Sequence, residues 1–316
     1  MRTQATTQED GTDGRARSAA LLTLALGALL AAIMALVAGT AREAEATFPG
    51  QNARIAFASE RTTGTGVDNP TGDREIFTIK PDGTGLKQLT HNTGDDELPV
   101  FSPDGTKIAY ESREIQNSNP EGDFEVYLMN ALDGSGEKNL SNNGSGVQEF
   151  YPVFSPGGGK IAYQSSGKQT SNPQGDYEVY AMNALDGTAK KNLSNNGLGI
   201  HDEVPVYSPG GKRIAYDSEG IQTSNSQGDI EVYTMSATDG TAKKNLTNNG
   251  GTADDYYPLY SPDGKKVAYQ SSGKQTSNPE GDKEVYSMNA LDGSSKKNLS
   301  NNGANDYDPD WGRRAM

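Results

Sequence analysis

Phe101-Ser102-Pro103-Asp104-Gly105-Thr106-Lys107-Ile108-Ala109-Tyr110 is the stretch from which the fold can be read. Apolar clusters flank Ser-Pro-Asp-Gly. The proline presets φ, the aspartate bonds back to the backbone, and the glycine takes the left-handed conformation that completes a tight turn. The segment reads as two strands joined by a hairpin. Tyr260 to Tyr269 repeats it, with Pro262, Asp263 and Gly264 in the turn. Working outward, Ile108-Ala109-Tyr110 belongs to a column of triplets beginning at Ile55, Ile108, Ile161, Ile214 and Val267, each 53 positions after the last. A second column holds Glu75-Ile76-Phe77, Glu125-Val126-Tyr127, Glu178-Val179-Tyr180, Glu231-Val232-Tyr233 and Glu284-Val285-Tyr286. A third is a lone leucine at Leu89, Leu140, Leu193, Leu246 and Leu299. The fourth pairs a proline with an aromatic two residues on: Pro99/Phe101, Pro152/Phe154, Pro205/Tyr207, Pro258/Tyr260 and Pro309/Trp311. Such periodic recurrence is the mark of a repeat architecture.

Each cluster reads as a short strand bounded by Gly, Pro, Asn and Asp. Leu132-Asp133-Gly134 and its copies turn the third strand into the fourth. Four antiparallel strands per unit of about 50 residues make one propeller blade. The middle strands, Ile-Ala-Tyr and Val-Tyr-x-Met, are apolar on both faces, whereas a sheet with one wet face would alternate. A blade covered by a neighbour on each side needs such strands, and the central alanine lets neighbours approach closely. The repeats begin at a second strand, Ala53 to Ser59, and end at a first strand, Pro309-Asp310-Trp311. We therefore expect an all-β protein: a five-bladed β-propeller over residues 47–316, closed by its C-terminal strand so that no sheet edge stays open.

Residues 1–46 read separately, as a signal peptide or membrane anchor helix. Ala19 to Gly39 is uncharged and rich in Leu and Ala, Arg15 and Arg17 precede it, and Ala44-Glu45-Ala46 suits signal peptidase. The apolar run is also long enough to span a bilayer, so an uncleaved anchor is the rival. Either way the rest of the chain is expected to be extracytoplasmic, whether secreted, periplasmic or held on the outer side of the membrane. Lys plus Arg total 28 against 42 for Asp plus Glu, giving a net charge of −14. So acidic a chain repels phosphate backbones, which excludes nucleic acid as an expected partner. The absence of cysteine excludes disulfides, thiolate metal sites and a cysteine nucleophile.

F-S-P-D-G-x-K-I-A-Y followed by E-V-Y-x-M-N and D-G is similar to the WD40-like repeat of TolB-type propellers, over Ala53 to Trp311. The resemblance implies the fold and leaves function open, because the same repeat serves binding proteins, peptidase propellers and sugar lyases. TolB itself resembles a six-bladed propeller preceded by an α/β domain, whereas the repeats here number five behind a leader. Similar peptidases carry a hydrolase domain with G-x-S-x-G, which this sequence lacks. Oligogalacturonate-lyase-like members use a histidine cluster, and this chain has only His91 and His201.

In a propeller, the loops from second to third strand share a face with the loops between blades. Both sets are long here, while the opposite face has tight turns, so binding is expected on the loop-rich face. Residues that break the repeat are the candidates there. In the first blade they are Arg61 and Val67, in a loop from Glu60 to Gly72 longer than its copies, with His91 and the run Asp95-Asp96-Glu97. In its neighbour they are Arg113 and Glu114. The loop oxygens at Asn119, Glu121, Asp123 and Glu125 alternate as calcium ligands can, which makes Asp123, Asp176, Asp229 and Asp282 candidates for weak calcium binding. Their simpler role is to accept backbone N–H bonds. No other cofactor is expected. Acids before each inner strand, including Glu149, Asp202, Glu203, Asp254, Asp255 and Asp306, are expected around the channel mouth, where carboxylate pairs could serve glycoside hydrolysis. A near-repeated ring lacks the asymmetry that splits an acid from a base. The expectation is a monomeric, non-catalytic module binding a protein or a cell-envelope glycan. A carbohydrate-active hydrolase or lyase is the alternative, and the membrane is touched only through an uncleaved leader.

Overall fold

The structure, a computed structural model, describes residues 54–311 except 116–118, 168–171, 197–198, 222–223, 250–252 and 274–276. The expected leader lies outside the described residues. No helix among them is long and apolar enough to cross a membrane.

The described residues form five antiparallel sheets. The first has β1 (Ile55–Ser59), β2 (Glu75–Ile79) and β3 (Lys87–Gln88). The second has β4 (Asp96–Phe101), β5 (Lys107–Ser112), β6 (Glu125–Asn130) and β7 (Lys138–Asn139). The third has β8 (Glu149–Phe154), β9 (Lys160–Ser165), β10 (Glu178–Asn183) and β11 (Lys191–Asn192). The fourth has β12 (His201–Tyr207), β13 (Arg213–Glu219), β14 (Glu231–Ser236) and β15 (Lys244–Asn245). The fifth has β16 (Asp255–Tyr260), β17 (Lys266–Ser271), β18 (Glu284–Asn289) and β19 (Lys297–Asn298). Strands follow chain order across each sheet, as in propeller blades. The first strands β4, β8, β12 and β16 pack successively on one another, which makes them the inner strands.

The apolar columns do what their composition requires. Ile108, Ala109, Tyr110, Val126, Tyr127 and Met129 are buried on both faces of their sheet, as are their copies in the third and fourth sheets. Four apolar clusters fill the four junctions between consecutive sheets. Each fully buried large side chain contributes about 1.5–3 kcal/mol. The turn glycines fix how close the sheets come. A Cβ on Gly134, Gly187, Gly240 or Gly293 would lie 2.1, 2.1, 1.9 or 1.9 Å from the carbonyl oxygen of Leu89, Leu140, Leu193 or Leu246 in the preceding sheet.

The expected closure is corrected by the structure. The first sheet has three strands, and Pro309-Asp310-Trp311 is not a strand. The reason lies in what the segment bonds to. The Asp306 amide donates to Lys283 O at 2.7 Å, as Asp202 and Asp255 do to Tyr177 O and Ile230 O in the blades before, and Trp311 Nε1 donates to Leu259 O at 3.1 Å, so the described segment lies against the fifth sheet without making a ladder to β1, which pairs with β2 alone. Trp311 is half-buried rather than a core residue. The fifth junction is thus unmade on both sides. Leu299 is 48% exposed where its four copies are 2–4% exposed. Gly83, placed to meet it, has nothing within 4 Å of its would-be Cβ.

Candidate functional site

The loop-rich face is organised by a bulge in each inner strand. Register slips after Glu97, Phe150, Glu203 and Tyr256. The next residues, Leu98, Tyr151, Val204 and Tyr257, have φ of 46, 54, 48 and 53°. For a β-branched residue such as Val204 this is a strained conformation. The preceding blade holds it in place. Glu111 Oε2 accepts the Tyr151 amide at 3.2 Å, Gln164 Oε1 the Val204 amide at 3.1 Å, and Asp217 Oδ2 the Tyr257 amide at 3.1 Å. Burial is the main cause that raises the Glu111 carboxyl to about 7 and that of Asp217 to about 8.

The acids expected at the channel mouth divide into two groups. Asp96, Glu149, Asp202 and Asp255 are buried inside the junctions. Asn92 donates to Asp96 at 2.8 Å, Asn143 to Glu149 at 2.5 Å and Asn249 to Asp255 at 2.9 Å. Each stands beside a glutamate of the preceding blade, and burial first, then that glutamate among other groups, pushes Glu149 and Asp202 well above the usual carboxyl range. Sealed in this way, they cannot touch a sugar, so the expectation that they ring an open mouth is corrected. Lysines face three of these acid pairs. Lys190 lies toward Glu149 and Glu125, Lys243 toward Asp202 and Glu178, and Lys296 toward Glu231 and Asp255. In the first junction Glu137 stands at the lysine's repeat position, accepting from Tyr110 OH at 2.8 Å.

The first-blade candidates are largely bonded to one another. Arg74, which the sequence reading did not single out, pairs with Glu97 and, at 3.2 Å, with Glu60. Asp95 accepts the Arg74 amide at 3.0 Å and pairs with Arg113. Burial opposes its ionisation, but that amide and the Arg113 guanidinium hold its carboxyl below the usual range. Arg113 also lies 5.6 Å from the Phe124 ring centroid. Arg61 sits over Phe57 and Phe77, 5.0 and 4.9 Å from their centroids, and bonds Ser59 at 2.9 Å. The Val67 amide closes a turn onto Gly64 O at 3.2 Å. His91 is exposed, and burial raises the Glu114 carboxyl.

The calcium candidates fall into two kinds. Asp123 Oδ2 accepts the Gly146 amide at 3.0 Å, and Asp176 Oδ2 the Gly199 amide at 3.1 Å, each tying its own loop to the next. Asp229 and Asp282 have neither carboxylate oxygen hydrogen-bonded. The loop asparagine is spent on structure, Asn119 Nδ2 donating to Asp123 O at 2.7 Å. Among the described residues, no three His, Asp or Glu side chains come together as a metal cage.

What the sequence reading missed is a row of rings. Phe124, Phe150, Tyr177 and His201 follow one another across two junctions at centroid separations of 5.1, 6.2 and 5.7 Å. All four are half-buried. His201 Nδ1 accepts the Tyr177 amide at 3.2 Å. Further on, Lys283 Nζ lies 5.8 Å from the Tyr256 centroid and 5.1 Å from that of Tyr307. A cavity of about 110 Å3 opens beside this row, lined by Tyr151, Glu203, Asp217, Glu219, Tyr256 and Tyr257 among others. The signal that could have found it is departure from the repeat. Glu203 stands where the third and fifth blades have Phe150 and Tyr256, and Asp217 where they have Gln164 and Gln270, while the second sheet also carries acids at these positions, Glu97 and Glu111. A larger cleft of about 300 Å3 lies on the tight-turn face between Pro103 and Pro156.

Consecutive four-stranded sheets joined by tight turns on one face and long loops on the other define a β-propeller of the repeat-built kind. The chain belongs to the TolB beta propeller domain family, whose model matches residues 30–220. Among solved structures it is similar to TolB from Acinetobacter baumannii, at 22% identity and a TM-score of 0.55, over 79% of this chain and 53% of that one. It thus spans about half the length of that protein. The putative TolB from Agrobacterium tumefaciens matches at 19% identity and a TM-score of 0.51, over 71% of this chain and 73% of that one. The β-propeller domain of the Trilobed protease from Pyrococcus furiosus, which has an open velcro topology, matches at 13% identity and 0.52, over 78% and 66%. At these identities the likeness is one of fold. No curated protein matches the chain.

Proposed function

We propose that this chain is an exported, non-catalytic binding module whose loop-rich face contacts a protein or a cell-envelope glycan. The observation that carries this reading is the row of half-buried rings from Phe124 to His201. Rings of this kind present apolar faces to sugars and to peptide side chains while their polar edges stay wet. The membership of the TolB propeller family agrees with a binding role. The rival reading, a carbohydrate-active hydrolase or lyase, needs two carboxyl groups open to substrate. The junction acids are sealed, those of the first blade are held by Arg74 and Arg113, and Glu203, Asp217 and Glu219 line a cavity of about 110 Å3, too small to take a sugar ring with its leaving group. We read the five sheets as five blades and the protein as an extracytoplasmic monomer, touching the membrane only where its leader is retained. Nucleic acid is no partner, and calcium binds at most weakly, at Asp229 and Asp282. The test is capture from a cell-envelope extract on the immobilised protein. A specific protein or glycan retained supports the reading, whereas no capture, or cleavage in a polysaccharide screen, overturns it.

A further inference from the structure

The cavity beside the ring row has a composition that its fold does not need. Three carboxyl groups line it: Glu203 on β12 and Asp217 and Glu219 on β13. Three tyrosines face the same space, Tyr151 from the third blade and Tyr256 and Tyr257 from the fifth. Tyr151, Val204 and Tyr257, three of the residues set at positive φ at the inner-strand bulges, line it from three consecutive blades. Asp217 is 5% exposed. Its Oδ2 accepts the Tyr257 amide at 3.1 Å.

No lysine or arginine pairs with Glu203, Asp217 or Glu219 among the described residues. The contrast with the first blade is direct, since Asp95 and Glu97 there have Arg113 and Arg74. The basic side chains nearest the cavity are His201, which lines it beside Glu203, and Lys283, which lies over Tyr256, while Asp254 adds a further acid beside Tyr256. Carboxylates left without a cation in a partly desolvated space are costly unless a counter-charge arrives. Tyrosine faces attract cations. The size narrows the ligand further. Sites for whole small molecules run to about 300–1,000 Å3, so about 110 Å3 admits one head group carried on something larger.

Resting on the binding-module reading above, we infer that this cavity receives a guanidinium or ammonium head group, the arginine or lysine side chain of a protein partner docked on the loop-rich face. The carboxylates of Glu203 and Glu219 supply the counter-charge, Asp217, which burial raises to about 8, gives up its proton as the cation enters, and the rings of Tyr151, Tyr256 and Tyr257 form the flat walls. A planar guanidinium fits such walls better than an ammonium does. The same chemistry on a free molecule, such as arginine amide or a polyamine, would enter without the surrounding contacts and bind far more weakly.

The experiment uses the full chain and labelled five-residue peptides with glycine at every position but the third, which is Arg, Lys or Gln. The Arg peptide is expected to bind at least about tenfold more tightly than the Gln peptide, with Lys between them and added salt weakening both. The variant Glu203→Gln with Glu219→Gln, at sites that bear no core side chain, is expected to lose about tenfold toward the Arg peptide, with a smaller loss toward Lys and none toward Gln. Its circular dichroism and melting curve verify the fold. Equal binding of the Arg and Gln peptides, no binding of either, or an unaffected double variant would overturn the inference. So would arginine amide competing as well as the peptide, since that would make the ligand a free cation. The envelope capture above separates the two readings. If native protein and double variant retain the same partner, the binding module stands and the cation cavity falls.

Discussion

Glu111 is a buried carboxyl, 3% exposed, in a role that glutamine fills elsewhere in the same molecule. Glu111 Oε2 accepts the Tyr151 amide at 3.2 Å, while one blade later Gln164 Oε1 accepts the Val204 amide at 3.1 Å. Glu111→Gln therefore keeps the shape and the acceptor and removes the titration. Burial, opposed by the Tyr151 amide and aided by Glu97, raises the carboxyl from 4.5 to about 7. At 1.36 kcal/mol per pH unit, this corresponds to about 3 kcal/mol of difference between the protonated and ionised forms. A group whose pKa is higher in the folded chain favours the folded state while protonated. Its contribution is fully present below about pH 4.5 and is lost as pH rises through about 7. Native protein and variant should accordingly match near pH 4.5 and diverge toward pH 8, the variant becoming more stable by about 3 kcal/mol. Urea unfolding across that range measures the difference directly. Curves that stay parallel, or a variant that weakens as pH rises, would refute the reasoning.

The unmade fifth junction predicts an asymmetry between two copies of one leucine: Leu246→Ala should cost about 2–5 kcal/mol, and Leu299→Ala, 48% exposed, under about 1 kcal/mol. Equal losses in chemical denaturation would mean that the ring closes in solution. Glu137→Lys restores the lysine found at Lys190, Lys243 and Lys296, and should stabilise the first junction by about 1 kcal/mol at neutral pH, read as a raised melting temperature. A lowered melting temperature would show that Glu137 serves another purpose. Calcium titration by calorimetry should find only millimolar affinity, as in loose extracellular sites. A sub-micromolar site would require ligands beyond Asp229 and Asp282.

Local elements were legible because a hairpin announces itself over ten residues. Pro103-Asp104-Gly105 turns the chain, and Ile108-Ala109-Tyr110 is apolar on both faces because both become covered. The repeat positions also located the four buried junctions. Closure was not legible in the same way. Pro309/Trp311 sits in the correct column, but a column records position within a repeat, not which neighbour the strand bonds, and Trp311 bonds the fifth sheet. The only local trace of the bulges is the column proline that follows each of Leu98, Tyr151, Val204 and Tyr257, and it does not announce a positive φ. Val204 and Tyr257 are ordinary strand residues, and their positive φ is imposed by Gln164 and Asp217 of the preceding blade. The cavity draws Tyr151, Glu203, Asp217 and Tyr257 from three blades, so proximity along the chain gave no hint of it. The first-blade acids drew attention as a run of charge, yet the structure places arginines against two of the three.

The central claim is that function resides on the loop-rich face. The opposite face offers a competitor, because Leu132, Leu185 and Leu291 stand 79, 75 and 83% exposed on its tight turns. One capture measurement from envelope extract decides between them, comparing the native chain with two folded variants. The first carries Tyr177→Ala and Tyr307→Ala on the loop-rich face, and the second Leu132→Ser, Leu185→Ser and Leu291→Ser on the turn face. The account predicts that the first loses the retained partner by about tenfold or more while the second keeps it. Retention by the first and loss by the second would contradict it.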